Sequence, residues 1–455
     1  MAKKLFGTTG IRGLVNDLLT PEFASKISAA FGTYIGGKGK RVLIAMDTRT
    51  SSEMLKSSAI SGLISVGCDA YDSGIAPSPA VQYGVRNNFF DAGIMITGSH
   101  IPPERNGLKF FVSDGTEVYG PIEEKIEEIY FNDEIERASW KDIGNVETFD
   151  AVTPYKKMLS ETGVEGNLKV VLDPGHGAHY ALMPEVIEKL GHDLITINSQ
   201  PDGFFPGRGS EPDEKNLRGL MERVKQENAD VGIALDCDGD RCIFVDDKGG
   251  YVMGDISECI ITDEVMKEHN GGLIVTGVTT SALIDWIVEK NNGKLVRTKV
   301  GASDIVAETV KRGALFSFEE NGGSIFPEIN PCRDGGLTAI YMLNTLTKRN
   351  QKLSEIISEM PKFYQLKDKI ECPDELKQEL TKKVVEHYKD RDAKEIIDID
   401  GIKVVFEDGS WMLLRPSGTE PIFRVFVESS SEEKAQRLME DGLETVKGIL
   451  EGMRQ

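Results

Sequence analysis

The sequence predicts an α/β protein: three consecutive α/β domains with mixed, largely parallel sheets, then a C-terminal α+β domain, around a central cleft. Three observations carry this. The chain has 455 residues, more than a single hydrophobic core organises. Short apolar runs alternate with helical patterns through the first three-quarters of it, a strand–helix–strand rhythm that favours parallel sheets. Beyond that, strands come in runs with flanking helices, the pattern of a separate α+β domain. The boundaries expected are 1–152, 153–254, 255–365 and 366–455.

The elements follow in order. "RVLIAMD" (41–47) reads as a buried strand, Thr50 and Glu53 as a capping box, and Leu55, Ala59, Leu63 and Val66 as a helical stripe stopped by Gly67. "DAGIMITGSH" (91–100) is a strand running into a loop. A second unit starts near Thr153-Pro154, with "LKVVLDPG" (168–175), a helix over Leu182, Val186 and Leu190 stopped by Gly191, and "ADVGIALDCDGD" (229–240). A third starts near 255, with "GLIVTGV" (272–278), "KLVRTKVG" and "GALFSFEENGG" (313–323). Each late strand ends in a polar loop, "TGSH", "DCDGD" or "EENGG". In parallel α/β sheets ligands sit beyond the carboxyl ends of strands, so the three loops can face one cleft. The last domain has helical "DELKQELTKKVVEHY", the strand pair "IIDIDGIKVVFEDG", "WMLLRPSGTEP", "FRVFVES" and a final helix capped at Ser430/Glu433.

Composition narrows the class. Hydrophobic content of 40% and charged content of 28% describe an ordinary globular protein. A net charge of -21 with no basic tract argues against nucleic acid as a partner. Six scattered cysteines without a CxxC pair fit reduced thiols. The start "MAKKLFGTTGIRG" has no signal-peptide core, and no run approaches the ~18 apolar residues of a membrane span. A cytoplasmic protein without membrane partners is expected.

"ALDCDGDR" (234–241) crowds Asp236, Asp238 and Asp240 into five residues. At ~5 Å and an effective dielectric of about 20, each carboxylate pair repels by roughly 3 kcal/mol. A bound cation offsets that, and oxygen ligation without histidine suits Mg²⁺ better than Zn²⁺. An EF-hand fails because Arg241 stands where its glycine belongs and no Glu follows at position twelve. An aspartyl-nucleophile phosphatase shares the strand-DxDG pattern, with Asp236 attacking phosphate, but Asp240 adds a charge that suits a ligand cluster. The plain alternative is a solvated acidic turn.

In "MITGSHIPPERNGLKFF" (95–111), Ser99 and His100 sit on a proline-constrained loop with Lys109 on the next apolar run. The hydrolase elbow G-x-S-x-G fails at Thr97. Ser99 can instead carry a phosphoryl group, with Lys109, Arg12 and a metal as counter-charges. Arg415, Ser417, Gly418 and Thr419 of "LLRPSGTEP" make a phosphate cradle, or equally a polar hairpin turn. Glu319 and Asn321 in "FSFEENGGS" can bind sugar hydroxyls or simply cap a turn. "GTYIGGKG" (32–39) is no P-loop: Gly39 replaces the Ser/Thr, and the segment reads as a helix end.

Together and in this order, "GTTGIRG", "TGSHIPP", "DCDGDR", "EENGG" and "RPSGTEP" resemble the signatures of the α-D-phosphohexomutases, across essentially the whole chain. "DGFFPGRGSEP" (202–212) resembles a linker of the same family. The resemblance implies a phosphoserine domain, a metal-binding domain, a sugar-binding domain and a phosphate-binding lid, in that order. It implies a Mg²⁺-dependent mutase that interconverts hexose 1- and 6-phosphates through phospho-Ser99 and a 1,6-bisphosphate, the bisphosphate acting as activator. One Mg²⁺ per chain would be held by Ser99, Asp236, Asp238 and Asp240. Arg12, Lys109 and Arg241 would surround the transferring group, with Lys109 or His100 shuttling the proton. Glu319 and Asn321 would bind the sugar; Arg415, Ser417, Gly418 and Thr419 would hold the other phosphate. Phosphomannomutase/phosphoglucomutase activity is the expectation, on a small phosphosugar and as monomer or homodimer. Phosphoglucosamine mutase or another sugar-phosphate mutase is the alternative; a Mg²⁺-dependent phosphatase and a non-catalytic sensor are the readings from other classes. The chain departs from the family at Gly98 and Ile101, usually Ala and Asn, and at Asn321 and Gly323, usually Ser and His.

Overall fold

The structure, a computed structural model, describes residues 5–389, 393–418 and 420–454. It divides into two compact units, Met1–Ile261 with Asn321–Ile356, and Thr262–Glu320 with Ile357–Gln455. The chain passes between them inside the helix Gly254–His269, at Glu320/Asn321, and inside the helix Leu353–Ser358.

The first unit holds two mixed sheets. The six-stranded sheet runs in the order Ile11–Leu14, Arg105–Val112, Ala92–Ile96, Arg41–Met46, Asp69–Ile75, Val146–Thr148. The last four strands are parallel, and Arg105–Val112 is antiparallel to both neighbours. That reversal matters: it returns Lys109 opposite Met95, four residues before Ser99. Leu55, Ala59, Leu63 and Val66 are buried in the core as the helical stripe predicts. Gly67 (φ 88°) ends that helix in the left-handed region that favours glycine. The expected Thr50/Glu53 capping box does not form. The helix is Ser52–Ser65 with Ser51 at its N-cap and no side-chain cap bond. Its first hydroxyls are engaged elsewhere: Asn106 Nδ2 donates to Ser51 Oγ and Ser52 Oγ, and Ser52 donates to Asp47 at 2.6 Å.

The five-stranded sheet runs Tyr251–Val252, Cys242–Val245, Val231–Leu235, Lys169–Asp173, Asp193–Thr196. The last three strands are parallel and the first two antiparallel. Val231–Leu235 is buried along its whole length, which is why it reads as a continuous apolar run, and it delivers the chain to Asp236. The unit is completed by the antiparallel pair Gly323–Phe326 and Asn330–Arg333, followed by the helix Gly335–Arg349 with Asp334 at its N-cap.

The second unit contains three parallel strands, Lys294–Thr298, Leu273–Gly277 and Phe316–Glu319. It also contains an antiparallel sheet in the order Tyr364–Glu371, Ile422–Ser429, Trp411–Pro416, Ile402–Val405, Glu395–Ile397. The helices Asp374–Tyr388 and Glu432–Arg454 cover that sheet through Leu380, Val384, Tyr388, Ala435, Met439 and Val446. The last helix starts one residue later than the expected cap: Ser431 Oγ, not Ser430, accepts from Lys434 N at 3.4 Å. Lys403 is buried, with its ammonium 3.8 Å from the Trp411 ring centroid and donating to the carbonyls of Val278 and Thr280. The α/β segments with mixed sheets and the C-terminal change to antiparallel pairing match the predicted fold class. No described helix is long and apolar enough to cross a membrane.

Candidate active site

Three loops of the first unit converge on one buried cluster. Ser99, fully buried, follows the strand Ala92–Ile96 in a left-handed conformation (φ 53°) that is uncommon for a non-glycine residue. Its Oγ donates to Asp236 Oδ2 at 2.9 Å and lies 3.3 Å from His100 Nδ1. Lys109 reaches in from the antiparallel strand, its Nζ 2.7 Å from Asp238 Oδ2 and 2.8 Å from Asp240 Oδ2. Gly239 (φ 74°) allows the tight turn that brings the three aspartates together, their candidate ligand oxygens all within 4.8 Å. Ser78, at a helix start, donates to Asp238 Oδ2 at 2.6 Å.

The electrostatics divide the three carboxyls. Burial and the charges of Asp240 and Asp238 drive Asp236 well above the usual carboxylate range. Burial acts the same way on Asp240, but Arg333, Lys109 and Arg241 outweigh it and hold the group low. Asp238 is also held low, with Lys109 and Ser78 overcoming burial and the Asp240 charge. Lys109 loses hydration by burial, yet Asp238 and Asp240 raise its pKa, so it stays protonated. Burial, Arg241 and Arg12 push His100 down and keep it neutral.

These residues fit a divalent cation and an anion side by side. Asp238 Oδ1 and Asp240 Oδ1 are buried with no hydrogen-bond partner among the described residues. So are the donors Arg12 Nε, Arg12 Nη2 and Arg241 Nε. Buried polar atoms are nearly always satisfied, so orphan carboxylate oxygens next to orphan guanidinium nitrogens leave room for a hard cation and a phosphate. Oxygen-only ligation favours Mg²⁺.

Several residues here were not singled out from the sequence. Arg49 donates to the carbonyl oxygens of Ser99, Ile101, Pro102 and Arg105, and its Nε pairs with Asp47 at 3.1 Å. It therefore clamps the serine loop. A Cβ at position 98 would meet the Arg49 guanidinium at 2.7 Å, which accounts for Gly98. Ser210 donates to His100 O and Ile101 O. Glu211 accepts from Arg241 Nη1 at 3.2 Å and lies 3.6 Å from His100 Nε2. Arg333 Nη2 stands 2.6 Å from Asp240 Oδ2. The only hints were "DTR" after a buried strand and "GRGSEP" in the linker.

The unit thus brings together Ser99, His100, Lys109, Arg12, Arg241 and the three aspartates. Asn321, half-buried, belongs to the same unit. In the second unit Glu319 ends its parallel strand. Arg415 ends the buried run of Trp411–Pro416 and pairs with Asp400. Ser417 is buried, its N–H donating to Ile422 O and its Oγ accepting from Glu420 N, and Gly418 beside it is exposed. Thr419 lies outside the described residues.

Comparison with known proteins agrees along the whole chain. Residues 3–137, 149–250 and 253–364 match α/β/α domains I, II and III of phosphoglucomutase/phosphomannomutase, and residues 369–444 match its C-terminal domain. A phosphoglucomutase/phosphomannomutase of Thermococcus kodakarensis is 41% identical over 99% of this chain and 100% of its own. A probable phosphoglucosamine mutase of Methanopyrus kandleri is 38% identical over 99% and 100%. The crystal structure of a phosphoglucomutase/phosphomannomutase family protein from Burkholderia thailandensis superposes with a TM-score of 0.90 at 25% identity, covering 98% of each chain.

Proposed function

The chain belongs to the phosphoglucomutase/phosphomannomutase family, the α-D-phosphohexomutases, and on that basis we propose that it interconverts hexose 1- and 6-phosphates through phosphorylated Ser99. It is an isomerase of the intramolecular phosphotransferase kind. Mannose and glucose phosphates are the proposed substrates, with a 1,6-bisphosphate as intermediate and as activator. The observation that supports this most is Ser99 Oγ at 2.9 Å from Asp236, inside a cluster whose remaining orphan atoms are carboxylate oxygens and guanidinium nitrogens.

In the proposed reaction a sugar hydroxyl attacks the phosphorus on Ser99. The bond from phosphorus to Ser99 Oγ breaks, the bond to the sugar oxygen forms, and the hydroxyl proton leaves to a base. Asp236, Asp238 and Asp240, together with a phosphate on Ser99, would hold Mg²⁺, which when bound would supply positive charge to the phosphoryl group in transfer. Lys109, Arg12 and Arg241 add positive charge around its oxygens. Lys109 is held protonated by Asp238 and Asp240, which suits it to give a proton; Mg²⁺ on those carboxylates would loosen that hold and keep Lys109 a candidate shuttle. His100, 3.3 Å from Ser99 Oγ with Glu211 3.6 Å from its Nε2, is the other candidate relay on position, though burial and the neighbouring arginines disfavour its taking a proton.

Glu319 and Asn321 are proposed to bind sugar hydroxyls, and Arg415, Ser417, Gly418 and Thr419 the non-reacting phosphate. Glucose, mannose and glucosamine carry the same equatorial hydroxyls at C3 and C4, so a carboxylate that reads only those does not discriminate at C2. A phosphoglucosamine mutase is therefore the second reading, favoured by the name of the Methanopyrus relative. One assay decides: turnover of mannose 1-phosphate, glucose 1-phosphate and glucosamine 6-phosphate, each with Mg²⁺ and a trace of bisphosphate. Isomerisation of mannose and glucose phosphates is expected. Steady release of inorganic phosphate without isomer would make the protein a phosphatase, and no turnover of any sugar would leave a sensor.

A further inference from the structure

Arg333 enters the transfer cluster through a gap left by a missing side chain. Its strand, Asn330–Arg333, pairs with Gly323–Phe326 in a register that sets Arg333 opposite Ile325. On its other side the backbone is fixed by the start of the next helix. Asp334 caps that helix through Leu337 N at 2.9 Å and receives hydrogen bonds from Tyr155 and Asn330. Gly335 N donates to Gly239 O of the aspartate loop at 3.1 Å. A Cβ on Gly335 would stand 2.7 Å from the carbonyl oxygens of Gly239 and Arg241, so the helix start rests directly on the "DCDGDR" turn.

From that anchored position the Arg333 side chain passes over Gly323. A Cβ built at 323 would lie 2.6 Å from Arg333 Cδ and 3.1 Å from its Cγ, closer than real contacts allow. The backbone at 323 is not among the positive-φ glycines, so the position needs glycine for space and not for conformation. This is where the family usually carries histidine. Beyond Gly323 the side chain, 4% exposed, puts Nη2 2.6 Å from Asp240 Oδ2, the oxygen that Lys109 Nζ also holds at 2.8 Å. Two cations thus fix one oxygen of Asp240; the other, Oδ1, has no hydrogen-bond partner among the described residues, with Arg241 Nε standing 3.9 Å from it.

We propose that Arg333 is a positioning residue of the phosphoryl-transfer site: it holds Asp240 so that Oδ1 faces the cation, and Gly323 is the opening that admits it. The role rests on the mutase reading for its consequence in turnover, but not for its consequence in metal binding. Lys109 alone cannot replace it, because Lys109 is divided between Asp240 and Asp238. Loss of an outer partner of a ligating carboxylate typically costs about 10–100-fold in metal affinity or rate.

The test uses the full chain with Arg333→Met, Arg333→Lys and Gly323→Val, stripped of metal and titrated with Mn²⁺ by calorimetry, then assayed with Mg²⁺ and glucose 1-phosphate. Arg333→Met should weaken Mn²⁺ binding and lower kcat by about 10–100-fold, with KM changed less than about threefold. Arg333→Lys should recover part of both. Gly323→Val, whose side chain takes the space of the Arg333 stem, should reproduce the Met variant. If Arg333→Met does not fold, as judged by circular dichroism, the Lys and Val variants carry the same comparison. Mn²⁺ affinity and kcat within twofold of wild type in either Arg333→Met or Gly323→Val would overturn the proposal. A wild-type chain that isomerises no sugar phosphate, while Arg333→Met still loses Mn²⁺, would overturn the mutase reading and leave Arg333 standing.

Discussion

Arg415 and Asp400 form a closed ion pair: Nε and Nη2 both lie 2.9 Å from a single carboxylate oxygen, which also accepts from the backbone N–H of Val300 at 3.2 Å. The guanidinium proposed to bind the non-reacting phosphate therefore already faces an anion. A phosphate arriving there competes with Asp400 or shares the arginine with it.

Arg415→Ala removes a charge-assisted contact of about 1.5–3 kcal/mol, so KM for 1-phosphate and 6-phosphate sugars should rise together by roughly 10- to 100-fold. Asp400→Asn keeps an acceptor but removes the competing charge, and KM should fall in both directions. Steady-state kinetics in the two directions checks this. A rise in KM for Asp400→Asn would identify Asp400 as a support for Arg415 instead of a competitor.

Peptide mass analysis should find phosphate on the wild-type Ser99 loop, and Ser99→Ala should remove it and abolish isomerisation. His100→Gln keeps a polar group of similar reach and should lower kcat by about 10²–10⁴-fold while leaving Ser99 able to carry phosphate. Retained turnover in Ser99→Ala would end the carrier assignment.

Asp238→Asn keeps the shape of a ligand while removing one charge. It should weaken Mg²⁺ binding and cut the rate strongly, and exhaustive chelation of the wild-type chain should silence it until Mg²⁺ is returned. Full activity after chelation would exclude the cation from the reaction.

Glu258, buried and accepting from Ser324 at 2.6 Å, has its pKa pushed up by burial from 4.5 to about 8. The fold therefore prefers the protonated form. Between those two values the native state binds more proton than the unfolded chain, so this group's stabilisation is full below 4.5 and is lost as pH rises toward 8. The slope is about 1.4 kcal/mol per pH unit across that window. Glu258→Gln should flatten the pH dependence and unfold at higher temperature than wild type at pH 9. Thermal melts of the two proteins between pH 5 and 9 measure the difference.

The sequence was most informative where chemistry is contiguous. Asp236, Asp238 and Asp240 lie on one turn after a fully apolar strand, so their spacing pointed to a cation; Ser99, on a proline-bounded loop after another strand, was singled out mainly by the family resemblance. Arg49, Ser210, Glu211 and Arg333 escaped because each meets the site only through tertiary folding. Arg333 is 93 residues from Asp240 along the chain, and Ser210 is 110 from His100. The Thr50/Glu53 cap failed for a related reason. A capping pattern is local, whereas Ser51 and Ser52 are claimed by Asn106 and Asp47. Asp400, next to Gly401 in an ordinary-looking turn, carried no signal that it neutralises Arg415.

The stem of Arg333 lying across Gly323 also constrains the route by which such a site can arise. Histidine at 323 and arginine at 333, packed as here, occupy the same space and exclude one another. A lineage passing from one arrangement to the other must empty position 323 before filling it from 333. Reversing the change means withdrawing the arginine first. Placing histidine alone at 323 in this chain should therefore break the present site without building the other. Homologues should sort into two groups, those with a side chain at 323 and those with a long cation at 333, and chains carrying both should be missing.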